Sequence, residues 1–195
     1  MSAALPVDPA DWAFHFDTGR LCLDCVASVG DRAHLAFDRW RTPEDVPRWC
    51  VEAGLLTAPP PVRAKDLPRA RQLRESIYRS IRNARADRRP SAPDVAILNR
   101  WAARPALAPQ LAANGRTVRF MCADPIEAVL ATVARDAIDL ISGADVKKVR
   151  ECAAPSCSVL FVDTSRPGKR RWCSMSRCGN RMKKAAFLRR LRRKT

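Results

Sequence analysis

Residues 152–181 read CAAPSCSVLFVDTSRPGKRRWCSMSRCGNR and contain four of the eight cysteines of the chain. Cys152 and Cys157 are separated by four residues, Cys173 and Cys178 are again separated by four, and fifteen residues lie between the two pairs. Zn²⁺ prefers four thiolates in a tetrahedron, and two close pairs on either side of a short hairpin supply them without a large core. The spacing therefore predicts one structural zinc ion on these cysteines; four buried or free thiols are the alternative.

The residues between the two cysteine pairs predict the local structure of this zinc module. Residues 159–162 and 170–173 are strand-like, and the Pro-Gly pair at 167–168 is typical of a tight turn between them. Ser174 is suited to cap a helix whose first turn contains Cys178. We therefore expect a β-hairpin followed by a helix.

Positive charge is concentrated around the same cysteines. The chain of 195 residues has 36 Lys or Arg and 20 Asp or Glu, a formal net charge of +16. Residues 145–195 hold 16 of the basic and 3 of the acidic residues, a net charge of +13, which leaves +3 on residues 1–144. Such a local excess is the electrostatic footprint of a segment that binds phosphates, whereas a solvated face or a solubility tail is the alternative.

The candidate nucleic-acid-binding residues are the basic side chains of the expected hairpin and of the start of the helix. They are Arg166, Lys169, Arg170, Arg171, Arg177, Arg181, Lys183 and Lys184. Farther along, Phe187, Leu188 and Leu191 form an apolar strip, which we expect to pack on the zinc module while the basic face meets a polyanion. An anionic membrane is an alternative partner that the shortness of the strip disfavours.

Residues 11–143 predict a mainly helical domain that follows a disordered segment of residues 1–10. Helical spacing and start signals indicate helices near residues 21–29, 46–53, 67–86, 93–101 and 126–141. Asn114-Gly115 lies between alternating residues and predicts one small β-hairpin. The expected fold class is therefore mainly α, a helical N-terminal domain with one small β-hairpin followed by a four-Cys zinc finger and basic helix in residues 145–195.

The other chemistry-bearing side chains give no catalytic signature. The chain has only two histidines and lacks both a nucleotide-binding glycine loop and a His-Glu-x-x-His motif, so we do not expect an enzyme. Cys22 and Cys25, with Cys50 and Cys122, would provide the ligands of a second zinc site. Their apolar helical context favours buried thiols instead.

Several motifs resemble those of a known family. The two cysteine pairs, the stretches at 161–165 and 171–175, and Cys-Gly-Asn-Arg at 178–181 resemble the CGNR-type zinc finger of bacteria. Residues 19–24 and 42–55 resemble the start of the ABATE-like domain that accompanies this finger. The resemblance implies a helical domain joined to a zinc module, with zinc bound by the four cysteines, in a transcription regulator of a type often described as stress-induced.

Together these features predict a cytoplasmic, zinc-dependent DNA-binding regulator. The helical domain would sense a small-molecule effector or form a homodimer. An RNA-binding or ribonucleoprotein-associated finger is the alternative, and a protein–protein adaptor is a third hypothesis. No run approaches the roughly 18 apolar residues that a membrane span requires, and the N-terminus lacks the pattern of a secretory signal, so we expect no membrane association.

Overall fold

A computed structural model of the chain describes residues 9–34 and 36–192, so most of the disordered segment expected at residues 1–10 lies outside the described residues. The helices are α1 (Leu21–Val26), α2 (Asp45–Glu52), α3 (Asp66–Arg85), α4 (Ala92–Ala102), α5 (Pro125–Ser142) and α6 (Asn180–Arg192). The antiparallel strand pairs are β1 (Val29–Gly30) with β2 (Phe37–Asp38), β3 (Ala108–Leu111) with β4 (Val118–Met121), and β5 (Val149–Glu151) with β6 (Leu160–Val162). The mainly α fold class is confirmed.

Helices α4 and α5 begin at side chains that cap them. The Ser91 hydroxyl accepts a hydrogen bond from the backbone N–H of Asp94 at the start of α4, and the Asp124 carboxylate accepts one from Glu127 N–H at the start of α5. These side chains satisfy backbone donors that a helix start leaves unpaired. Gly143 follows the last residue of α5 and ends that helix.

The core of the helical part is formed by the five helices α1 to α5. Leu73, Ile77 and Ile81 lie four residues apart on α3 and are completely buried, as the helical stripe in the sequence predicts. Trp40 and Trp49 meet edge to face, with ring centroids 5.9 Å apart, and are also completely buried. Burial of these large apolar side chains provides the main driving force for folding of this part of the chain.

The short helix α1 is fixed onto α5 by polar contacts. The Asp136 carboxylate accepts hydrogen bonds from Arg20 Nε, at 2.9 Å, and from the backbone N–H of Cys22, at 2.8 Å. A second carboxylate, that of Asp139, lies 2.6 Å from Arg20 Nη2. One guanidinium therefore holds the start of α1 against the C-terminal half of α5.

The strands of the helical part differ in two ways from the sequence prediction. The expected hairpin forms as β3 and β4, but its loop spans residues 112–117 and is longer than a two-residue turn. Within this loop, Asn114 Oδ1 accepts from the backbone N–H groups of Arg116 and Thr117. The pair β1 and β2 was not expected, since Val29 matches the helical spacing of α1. The left-handed backbone of Asp31, with φ of 43°, turns the chain between these two strands.

The hairpin of the zinc module pairs strands other than those expected. Strand β6 pairs with β5, which precedes the first cysteine, and residues 170–173 are not a strand. A single backbone hydrogen bond of 2.9 Å, from Ala153 N–H to Arg171 O, connects those residues to the segment that follows Cys152. The expected pairing of 159–162 with 170–173 was therefore wrong.

Strand β6 belongs to two cores because its side chains alternate. Leu160 and Val162, with Val149 of β5, are buried in the core of the helical part. Phe161 points the other way and packs with the cysteines. A backbone hydrogen bond of 2.8 Å from Val162 N–H to Thr18 O also joins this strand to the segment before α1.

Helix α6 has no buried residue, which corrects the expectation that its apolar strip packs on the zinc module. Phe187, Leu188 and Leu191 are 60%, 45% and 48% exposed. Only Met182, near its start, packs against the cysteine core. Within the described ranges, no helix is both long and apolar enough to cross a membrane.

Candidate zinc centre and basic surface

The four cysteines of the two close pairs come together at one point. Their Sγ atoms all lie within 4.8 Å of one another. The Sγ atom of Cys173 is 3.8 Å from that of Cys157 and 3.6 Å from that of Cys178. A tetrahedron of thiolates with Zn–S bonds of about 2.3 Å has S···S edges of about 3.8 Å. The donor set and its spacing therefore fit one structural Zn²⁺.

Each cysteine is presented by a different piece of backbone. Cys152 directly follows β5, and Cys157 closes a turn in which its N–H bonds to Ala154 O at 3.0 Å. Cys178 lies in the π-helical turn Met175–Gly179, which leads into α6. The backbone N–H of Cys173 donates to Cys152 Sγ at 3.4 Å, and such a donor stabilises a metal-bound thiolate.

A small apolar cluster shields the cysteines. Phe161 and Val159 are buried against them, together with Ala27 from the end of α1. Trp172 packs on the same cluster and lies beneath the Arg171 guanidinium, which is 4.9 Å from its ring centroid. Trp172 is therefore part of the finger core.

Three of the eight candidate nucleic-acid-binding residues make side-chain hydrogen bonds within the described part of the chain. Arg170 donates to the backbone carbonyls of Trp172 and Cys173 and stacks on Phe161, 4.6 Å from its ring centroid. Its backbone N–H also donates to the Asp163 carboxylate, at 2.9 Å. Arg170 therefore braces the loop that carries Cys173.

The other two contact the segment that precedes α1. Arg177 donates to the backbone carbonyl of Ala10 at 2.8 Å. Arg181, the last residue of the CGNR tetrapeptide, forms an ion pair with Asp11 at 2.6 Å. Asp11 was not singled out by the sequence analysis, and nothing local in the sequence indicates a contact over 170 residues.

The remaining five candidates are exposed and form no ion pair with any carboxylate in the described part of the chain. They are Arg166, Lys169, Arg171, Lys183 and Lys184. Arg189 and Arg190, which the sequence analysis did not include, are also exposed on α6. Both belong to the basic run at the C-terminus, and this run is the sequence feature that could have identified them. We call these seven residues the basic surface.

The other four cysteines do not form a second metal site. Cys22, Cys25 and Cys50 are buried in the helical core, and burial raises the pKa of Cys25 and of Cys50 to about 12. Across residues 9–34 and 36–192, the four-cysteine cluster is the only group of three or more side chains placed to hold a metal ion. These thiols serve as small apolar core residues.

Comparison with known families assigns both parts of the chain. Residues 19–144 match the ABATE family model, described as a putative stress-induced transcription regulator. Residues 148–191 match the CGNR zinc finger model. No curated protein matches the chain at a significant level. Neither matched family is an enzyme family. The chain therefore belongs to the ABATE family, and its ABATE domain is followed by a CGNR zinc finger.

Proposed function

We propose that this protein is a cytoplasmic, zinc-dependent DNA-binding transcription regulator. Residues 145–195 would be the DNA-binding module and residues 11–143 a regulatory domain that senses a ligand or forms a homodimer. Support comes from the regulator and zinc-finger families that match the chain in this order. The observation on which the proposal rests is the basic surface, whose side chains are exposed beside a compact four-cysteine centre.

The charge of α6 favours a polyanionic partner. Arg181, Lys183, Lys184, Arg189, Arg190 and Arg192 are basic residues of this helix, and none of its thirteen residues is acidic. Like charges on one exposed helix repel one another unless a partner neutralises them. Phosphates do so and release condensed counterions, which makes the affinity strongly dependent on salt.

The zinc ion would act on folding rather than in a reaction. When bound, it supplies a fixed tetrahedral crosslink among four cysteines that lie on separate pieces of backbone. The loop with Arg166, Lys169 and Arg171 and the start of α6 both emerge from this crosslinked region. Loss of the crosslink would therefore separate the two parts of the basic surface.

Fluorescence anisotropy with labelled duplex DNA, RNA and heparin at several salt concentrations tests the proposal. The double variant Lys183→Ala/Lys184→Ala should weaken duplex binding and reduce the slope of log K against log salt by about two. The control Arg116→Ala/Arg119→Ala removes two exposed positive charges from the β3–β4 hairpin and should leave both quantities unchanged. Equal affinity for every duplex sequence and for heparin would contradict a regulator. Tighter binding to RNA would favour the alternative function.

A further inference from the structure

A second basic site lies on the helical part, between the end of α3 and the start of α4. It is a cleft of about 390 Å³. The residues that line it are Tyr78, Arg79, Arg82, Asn83, Arg88, Ser91 and Asp94. None of them belongs to the zinc module, so the cleft is separate from the basic surface.

Two of the three arginines in this cleft have no carboxylate partner. Arg79 is paired with Asp94, whose pKa that guanidinium lowers below the ordinary value, so the two charges cancel. Arg82 donates to Tyr78 Oη at 2.9 Å, and Arg88 donates to Asn83 Oδ1 at 3.3 Å. Neither forms an ion pair within the described ranges. The cleft therefore presents two arginines that form no ion pair, although the Glu151 carboxylate acts on Arg82 from farther away.

The positions of both arginines follow from the end of α3. Arg82 lies in the last turn of α3, where a cation interacts favourably with the helix dipole. Arg88 lies beyond that helix and is turned back toward it by Asp87, whose φ of 57° is left-handed. The backbone N–H of Arg88 then bonds to Asn83 O at 2.9 Å. With the bond from Asp87 N–H to Ala84 O at 3.1 Å, this is the common left-handed cap of a helix C-terminus, and it places Arg88 at the same end of α3 as Arg82.

The other walls suit a small anion. The Tyr78 ring forms an apolar side of the cleft and is fixed from behind by Arg32, 4.2 Å from its centroid. Arg32 is itself held by Glu75, at 2.7 Å. The Ser91 hydroxyl at the rim is already engaged, since it donates to Asp94 Oδ2 at 2.7 Å and accepts from Asp94 N–H. Guanidinium groups match the oxygens of a phosphate, and a cleft of this size is at the lower end of the range for small ligands.

We propose that this cleft binds a small phosphorylated ligand through Arg82 and Arg88. The inference gives a ligand class to the sensing role proposed for the helical part. The role of this ligand as an effector rests on the proposed function, whereas its binding to the cleft does not. Residues at the same helix end contact the start of the zinc module, since Asp87 pairs with Lys147 and Arg85 lies 3.7 Å from Glu151. Ion pairs therefore join the chain next to the cleft to Lys147 and to Glu151 of β5, the strand that leads into Cys152.

The single tyrosine of the chain gives a specific probe, because 3-fluorotyrosine would label Tyr78 alone. The full-length, zinc-loaded protein is titrated with inorganic phosphate, and the ¹⁹F resonance is compared with a chloride titration of equal ionic strength. We expect a saturable shift with phosphate only. Arg82→Gln and Arg88→Gln should each weaken binding about tenfold or more, whereas Arg116→Gln should not.

Three outcomes would overturn the proposal. They are a phosphate response equal to that of chloride, equal weakening by Arg116→Gln, and a Tyr78 signal that responds to duplex DNA but not to phosphate. The last would assign the cleft to a nucleic-acid surface. Because the phosphate titration contains no nucleic acid, failure here leaves DNA binding by the finger unaffected, and failure of DNA binding leaves this site standing.

Discussion

Arg181 and Asp11 form a two-bond ion pair between the zinc finger and the segment that precedes the helical core. Nη1 and Nη2 of Arg181 lie 3.1 Å and 2.6 Å from the two carboxylate oxygens of Asp11. The backbone carbonyl of Asp11 accepts in turn from Arg39 Nε at 2.8 Å, and Arg39 is buried. The last residue of the CGNR tetrapeptide therefore ties two distant parts of the chain together.

Loss of this ion pair should reduce stability. We expect Arg181→Ala and Asp11→Ala each to lower the free energy of unfolding by about 1 to 2 kcal/mol. The two side chains are 37% and 17% exposed, and two hydrogen bonds join the guanidinium to the carboxylate. Urea denaturation of the two single variants and the double variant should give a coupling energy of about 1 kcal/mol. Additive effects would show that the two side chains act independently.

Zinc binding should depend on Cys173. Its Sγ atom lies within 3.8 Å of two other ligand atoms, so Cys173→Ser should reduce the zinc content from one ion per chain to well below one. Cys122→Ser is the matched control, since Cys122 lies outside the cluster and is only half-buried. Zinc content by atomic emission checks both variants. Equal zinc in the two would exclude the four-cysteine site.

The same variant should also affect the helical core. Leu160 and Val162 of β6 are buried there, while Phe161 packs on the cysteines. Hydrogen exchange should therefore increase strongly over residues 152–179 and to a smaller extent at the ends of α1 and α5.

Local patterns in the sequence predicted the features that depend on neighbouring residues. The cysteine spacing located the zinc cluster, and the apolar stripe of Leu73, Ile77 and Ile81 located α3. Strand pairing in the zinc module could not be predicted in this way. Residues 149–151 and 170–173 are both strand-like, and the choice follows from burial of Val149 in the distant helical core.

The contacts of the basic side chains could not be predicted from local sequence either. All eight candidates look alike in the sequence, yet Arg170 and Arg177 bond to backbone carbonyls and Arg181 to a carboxylate. Their partners include Asp17, Ala10 and Asp11, more than 150 residues away. Charge alone indicates where a polyanion is attracted, whereas tertiary contacts decide which side chains remain available to it.

The apolar side chains of α6 should contribute little to the stability of the monomer. Phe187→Ala and Leu191→Ala should change the free energy of unfolding by less than about 0.5 kcal/mol, because both side chains are about half exposed or more. Leu140→Ala in α5 removes a completely buried side chain and should cost about 2 to 5 kcal/mol in the same urea experiment. A large decrease in the free energy of unfolding of the α6 variants would show that the apolar side chains of α6 pack on the zinc module.

The charge state of Asp24 should make stability depend on pH. Burial raises its pKa from 3.8 to about 7, although hydrogen bonds from the hydroxyl and the backbone N–H of Thr18 act in the opposite direction. Between about pH 4 and pH 7 the folded protein keeps a proton that the unfolded chain releases. The contribution of Asp24 to stability therefore falls as the pH rises through this window.

Asp24→Asn should remove that loss without removing the hydrogen bonds. Both Thr18 donors bond to the same oxygen of Asp24, at 2.7 and 3.3 Å, and the Oδ1 atom of asparagine can accept both. We expect the variant to match the wild type near pH 4 and to be more stable by about 2 kcal/mol at pH 8. Urea denaturation across this range measures the difference, and Glu44→Gln, which removes an exposed carboxylate, should reproduce the wild-type profile. A constant difference between Asp24→Asn and wild type would mean that Asp24 does not exchange a proton on folding in this range.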